Sequence, residues 1–115
     1  MLTILHNPRC SKSRQALALL QQHQADLTVI DYQKTPLSKA ELTAVVTKLG
    51  ITPRDLLRTK EEAYQSLQLD NSVLSDDALL DAMLAQPKLM ERPVIFDDSR
   101  AVIGRPPEKV LELLA

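Results

Sequence analysis

Cysteine occurs once in this chain of 115 residues, at position 10, and tryptophan not at all. A single thiol excludes an intramolecular disulfide, and with it the cross-linked secreted scaffold. One cysteine and two well-separated histidines, His6 and His23, fall short of an ordinary zinc ligand set. Aromatics are scarce, limited to Tyr32, Tyr64 and Phe96, and 14 basic residues stand against 15 acidic ones. The chain therefore offers neither a stacking platform nor a basic footprint for a nucleic acid. Long hydrophobic runs are missing as well. The apolar start Met1-Leu2-Thr3-Ile4-Leu5 is cut off by His6-Asn7-Pro8-Arg9 and is too short for a signal-peptide core. No segment approaches the roughly 20 apolar residues of a membrane span. The expectation is a cytoplasmic protein with no membrane partner, a monomer, in a compartment that keeps its thiol reduced.

Apolar residues make up 44% of the chain, enough for the core of one domain. Leu2 to His6 predicts a first strand, Asn7-Pro8 a turn, and Cys10 or Ser11 to about Gln24 a helix with Ala16, Leu17 and Leu20 on its inner face. Leu27 to Tyr32 alternates as a second strand, so the first third is a parallel crossover. The middle is helical. Ser38 with Glu41 and Thr59 with Glu62 both fit the capping box. Gly50 stops the first of these helices. Thr52-Pro53 starts a short one, and Ser75 starts another with Leu79, Leu80, Met83 and Leu84 as its buried stripe. Pro93 to Phe96 and Arg100 to Ile103 flank the turn Asp97-Asp98-Ser99 as a hairpin, and a helix opens after Arg105-Pro106-Pro107. The order implies an α/β fold. It is a thioredoxin-like four-stranded mixed sheet with flanking helices and a helical insertion at about 36–90, making one domain over 1–115.

Chemistry concentrates in His6-Asn7-Pro8-Arg9-Cys10-Ser11-Lys12-Ser13-Arg14. The only thiol sits between a strand end and a helix start, where unpaired amides favour a thiolate and can cradle an oxyanion. Arg9, Lys12 and Arg14 add positive charge, so Cys10 reads as a nucleophile rather than a small buried hydrophobe. Ser13 occupies the place of the second cysteine of a C-x-x-C dithiol, and Ala16 that of the arginine in a C-x5-R phosphate loop. Redox chemistry here needs its second thiol from outside. His6 is either a base or orienting group for Cys10, or a satisfied polar histidine. Ser13 can donate to the thiolate and Arg14 can pair with an acid. Arg58, Arg92 and Arg105 come from distant segments. They are either surface residues or a convergent set of forked donors for an oxyanion. Pro93 either starts a strand or forms a cis bond that turns its loop toward the cysteine. His23 reads as solvated, and Met83 and Met90 as packing residues.

Asn7-Pro8-x-Cys10-x-x-Ser13-Arg14, Gly50-Ile51-x-x-Arg54-x-Leu56-Leu57-Arg58, Arg92-Pro93-Val94 and Gly104-Arg105-Pro106 together resemble the glutaredoxin-linked arsenate reductases of the thioredoxin superfamily, over nearly the whole chain. The resemblance implies that Cys10 attacks arsenate, with His6 and Ser13 tuning it. It implies that Arg58, Arg92 and Arg105 bind the anion and stabilise the thiolate, and that Pro93 is a cis-proline facing the cysteine. Glutathione, the co-substrate, would form a mixed arsenic thiolate and reduce As(V) to As(III). Glutaredoxin, the protein partner, would then clear glutathione from the enzyme. No tightly bound cofactor and no metal are implied. Ser11 stands where well-studied members often carry glycine, and the chain ends at Ala115 without the C-terminal extension of longer members. Two other readings are a thiol oxidoreductase acting on a different substrate, such as a glutathione adduct, and a non-catalytic regulatory module.

Overall fold

The computed structural model describes residues 2–114, and their contacts group into two units, one of 2–35 with 92–114 and one of 36–91. The first contains the sheet. Strand β1 (Leu2–His6) leads through the loop at Asn7-Pro8 into helix α1 (Ser11–Gln22), and β2 (Leu27–Asp31) returns parallel to β1 with Leu2 opposite Leu27 and His6 opposite Asp31. β3 (Val94–Phe96) runs antiparallel to β1, and β4 (Ala101–Ile103) antiparallel to β3. The order is β2-β1-β3-β4, the mixed four-stranded sheet that the sequence predicts. Leu2, Ile4, Ala16, Leu20, Ile95, Val110 and Leu113 form one buried cluster from the sheet, α1 and the closing 3₁₀ helix Pro107–Leu114. Alternation on the strands and 3–4 spacing on the helices put these side chains on one side.

α1 stops two residues before the predicted end. Gln24 takes a left-handed φ of 55° while Ala25 N–H reaches back to Leu20 O at 3.1 Å, a turn that more often uses glycine. The strand hairpin is held at its base by Gly104 N–H on Pro93 O at 2.8 Å. Both Arg92-Pro93 and Arg105-Pro106 are cis, and the second was not expected from the sequence.

The helical unit contains α2 (Lys39–Leu49), a 3₁₀ turn Pro53–Leu56, α3 (Glu62–Ser66), α4 (Asp76–Ala85) and a second 3₁₀ turn Pro87–Leu89. The capping box at α2 is present: Glu41 N–H donates to Ser38 Oγ at 3.1 Å and Ser38 N–H to Glu41 Oε1 at 2.9 Å. Gly50 ends α2 at φ 68°. Ser75 Oγ caps α4 by accepting Ala78 N–H at 3.1 Å. Leu79, Leu80 and Met83 are buried on α4, and Leu84 is half-buried. The expected box of Thr59 with Glu62 does not form. Glu61 precedes α3 without a side-chain cap. The reason is local: Glu61 N–H closes a turn on Arg58 O at 3.2 Å, which places Thr59 inside that turn and away from the helix start.

Gly104 shows how closely the hairpin base is packed. A Cβ there would lie 2.8 Å from Pro93 Cγ and 3.0 Å from Val110 Cγ1. Overpacking of this kind costs typically ~1–3 kcal/mol. Gly104→Ala is expected to lower stability by about that amount in chemical denaturation. A midpoint unchanged from the parent would show that the proline loop yields freely.

Candidate active site

Asn7 organises the loop that carries the thiol. Its carbonyl accepts Cys10 N–H at 3.0 Å, its Oδ1 accepts Arg9 N–H at 3.0 Å, and its own N–H donates to Ser13 Oγ at 3.0 Å. Ser13 is fully buried and its Oγ lies 2.6 Å from His6 Nδ1. Because Oγ already accepts from Asn7, its own proton is directed to Nδ1, which assigns the imidazole proton to Nε2 by completing the network. The end of β1, the loop and the first turn of α1 are thus tied together by one buried hydroxyl. An Asn-Pro pair signals a turn. It does not signal that the asparagine backbone would be held by a serine six residues on, and the sequence reading passed over Asn7 for that reason.

Cys10 is the residue immediately before α1, half-buried, with extended backbone (φ −95°, ψ 122°). Its sulfur closes no cap hydrogen bond of ordinary geometry, but the N–H groups of Ser13 and Lys12 face it. Burial pushes the thiol pKa up. The Ser13 N–H, the Arg92 guanidinium and the Lys12 N–H together outweigh that and hold it below its ordinary value. Ser11 is already the first helical residue, so no glycine is required after the cysteine. Ser13 therefore serves the sulfur through its backbone, while its hydroxyl is committed to His6 and Asn7. Ser13 thus donates to the sulfur as expected, through its backbone N–H and not its hydroxyl.

Burial pushes the His6 pKa down and Asp31 opposes this, with Arg14 adding to the lowering, so the ring is neutral at pH 7. Arg14 does not pair with an acid as expected. Its Nη1 donates to Pro8 O at 2.9 Å, which fastens the helix to the loop, and among the described residues it forms no ion pair. His23 is exposed and bonds the Leu19 carbonyl at 2.9 Å. Met83 and Met90 are buried packing residues.

Arg92 and Arg105 come together through the proline loop. Arg105 Nη1 donates to Arg92 O at 3.2 Å, and the Arg92 guanidinium acts on the Cys10 sulfur. Pro93, buried and cis, follows Arg92 directly. Tyr32 was missed by the sequence reading. It is buried one residue beyond β2, and its phenol is pushed up to about 12 by burial against the lowering effect of Arg92. Arg58 belongs to the helical unit, where its guanidinium lies 3.4 Å from Glu61 and 3.7 Å from Glu91. Among the described residues no group of histidine, cysteine and acidic side chains could hold a metal, and no helix is long and apolar enough to cross a membrane.

A half-buried cysteine of lowered pKa before the first helix, beside a cis-proline loop on a β2-β1-β3-β4 sheet, defines a thiol protein of thioredoxin-like fold. Residues 5–113 match the model of the ArsC family, and the chain belongs to that family. It is 47% identical over 112 residues to the Escherichia coli K12 protein YfgD, covering 96% of this chain and 94% of that one. It is 46% identical over 112 residues to an arsenate reductase of Haemophilus influenzae, covering 96% and 97% of the two chains. The solved structure of an arsenate reductase from Vibrio cholerae superposes with a TM-score of 0.93 at 48% identity, over 96% of this chain and 95% of that one.

The lowered thiol sets a pH profile. More of Cys10 is thiolate at neutral pH than in free cysteine, so its alkylation rate should level off at lower pH. Arg92→Leu removes a donor and a charge and is expected to move the profile to higher pH, as read by iodoacetamide kinetics and thiolate absorbance. An unmoved profile would remove Arg92 from the site. Ser13→Ala strands the buried Asn7 N–H and should cost about 1–3 kcal/mol of stability in chemical denaturation.

Proposed function

We propose that this protein reduces arsenate to arsenite, with Cys10 as nucleophile, glutathione as the second thiol and glutaredoxin as the recycling partner. The observation that carries the reading is the pairing of a thiol of lowered pKa with Arg92 and Arg105 in an ArsC-family chain. Membership alone would leave the chemistry open. The cationic setting adds a reason for an oxyanion to bind where the nucleophile stands.

The thiolate attacks arsenic and displaces one oxygen, which takes up a proton from solvent and leaves as water, giving a Cys10–S–As(V) adduct. Arg92 and the N–H groups at the start of α1 offset the negative charge of the adduct. Glutathione replaces a second oxygen, again released as water, and forms a mixed arsenic thiolate. A sulfur–sulfur bond then forms between Cys10 and glutathione while both arsenic–sulfur bonds break. Arsenic keeps two electrons and leaves as As(III). A glutaredoxin thiolate attacks the glutathione sulfur of the remaining disulfide and returns Cys10 as thiolate. His6, neutral and held by Ser13, orients the loop and does not supply a charge. The absence of a second cysteine supports dependence on outside thiols.

The test is arsenite formation by the purified protein with arsenate, glutathione, glutaredoxin and a glutathione-recycling system. Turnover is expected only with both thiol partners present and is expected to vanish in Cys10→Ser. Residual turnover in that variant, or full turnover without glutaredoxin, would sink the corresponding part of the reading. Arg105→Ala should raise KM for arsenate about 10-fold or more, the loss expected for one charge-assisted contact.

A further inference from the structure

Arg58 stands between two carboxylates, with Nη1 3.4 Å from Glu61 Oε1 and Nε 3.7 Å from Glu91 Oε1. We propose that Glu61 and Glu91 are built-in competitors for this guanidinium: an oxyanion is taken there by displacing a carboxylate, and the pair thereby weakens the binding of more highly charged anions. The proposal rests on the reading above that the substrate is an oxyanion, and it adds Arg58 to the residues that meet it.

The cluster stands on a stiff base within the helical unit. Leu57 and Met90 form an antiparallel bridge, Arg58 N–H donates to Leu89 O at 2.7 Å, and Glu91 N–H donates to Leu56 O at 2.8 Å. Leu56, Leu57, Leu89 and Met90 are buried, so the backbone on either side of Arg58 and Glu91 is anchored in apolar packing. Glu61 reaches the same guanidinium through the turn in which its N–H donates to Arg58 O at 3.2 Å. The side chains stay partly exposed, at 23% for Arg58 and 27% for each glutamate, so an anion from solvent can reach them.

The charges fit each other loosely. Charge-assisted N–H···O bonds run at about 2.7–2.9 Å, and both contacts here are longer. Arg58 Nη1 is buried, yet among the described residues it forms no hydrogen bond of ordinary geometry. A guanidinium fork with an unsatisfied N–H suits an oxyanion better than the carboxylates that flank it. Two carboxylates against one guanidinium leave the cluster with a net negative charge, so an incoming dianion is repelled more strongly than a monoanion. Glu61 also lines a pocket of about 330 Å³ together with Lys88, which gives a displaced carboxylate a cation to turn toward. A partly exposed ion pair of this length adds little to stability.

The experiment reads Arg58 directly and needs no turnover. Phenylglyoxal modifies arginine, and peptide mass spectrometry follows Arg58 in the whole protein while inorganic sulfate or nitrate is added at constant ionic strength. Glu61→Gln and Glu91→Gln are each expected to lower the sulfate concentration that half-protects Arg58 by about 3-fold, in line with the removal of one partly exposed charge. The change for nitrate is expected to be smaller. KM for arsenate is expected to fall by a similar factor with kcat little changed, whereas a purely structural pair would lower the unfolding midpoint and leave protection as it was. Glu62→Gln removes the same charge one residue away and is expected to protect as the parent does. Sulfate protection unchanged or weakened in both variants, KM unmoved in both, or an equal gain in Glu62→Gln would overturn the competitor assignment and leave the arsenate reading standing. Tighter sulfate protection in the two variants of a protein that makes no arsenite would sustain the assignment and sink the arsenate reading.

Discussion

The buried hydroxyl of Ser13 is the constraint on which the site depends. It accepts the Asn7 N–H and meets His6 Nδ1 at 2.6 Å, so the end of β1 and the first turn of α1 are locked to each other. With that lock in place, Cys10 has to sit at the helix start with its sulfur facing the N–H groups of Lys12 and Ser13. The position that a second cysteine would take in a C-x-x-C dithiol holds a residue that bonds inward. Serine gives up a resolving thiol there and rigidifies the loop around the remaining one.

That exchange makes electrostatics carry more of the chemistry. A half-buried thiol would ordinarily titrate upward, and it is brought down by backbone donors and by Arg92. Arg92 is delivered by the proline loop, Arg105 is fastened to its carbonyl, and Gly104 lets the loop pack against Val110. A short hairpin of two three-residue strands thereby brings two cations to the end of the sheet where α1 begins. His6 contributes position and not charge, because burial outweighs the pull of Asp31.

Much of this was legible before the structure because the signals are local. Ser38 with Glu41, Gly50 and Ser75 each satisfy backbone groups within a few residues, and each forms as expected. The strands follow from alternation, and the thiol's place follows from a strand ending at Asn7-Pro8. What sequence could not supply depends on distant partners. Thr59 carries the same cap chemistry as Ser38, yet the Arg58–Glu61 turn takes its place. Arg14 was read as a partner for an acid, but a carbonyl of the loop lies within reach. The left-handed Gln24 and the cis bond at Arg105-Pro106 have no side-chain signature. Tyr32 reads as the last residue of a strand, and its proximity to Arg92 appears only once β2 is placed in the sheet.

A chain with one thiol has to solve a problem that a dithiol protein does not have: holding a second reactant long enough for its sulfur to reach the first. In a C-x-x-C loop the resolving sulfur is attached, so its effective concentration is very high. Under the proposed reading, with the second thiol supplied from outside, the same proximity has to be reached by binding. Cations that make no bonds within the protein suit that role, because they lose nothing internal when they turn toward a ligand. Arg9 in the cysteine loop and Lys34 in the turn after β2 are exposed, and among the described residues their side chains form no ion pair or hydrogen bond. Arg14 differs, since it is already fastened to Pro8. The basic residues near the cysteine thus divide into one that fastens helix to loop and others that form no bond among the described residues, a division that follows from which carbonyls lie within reach and not from charge alone.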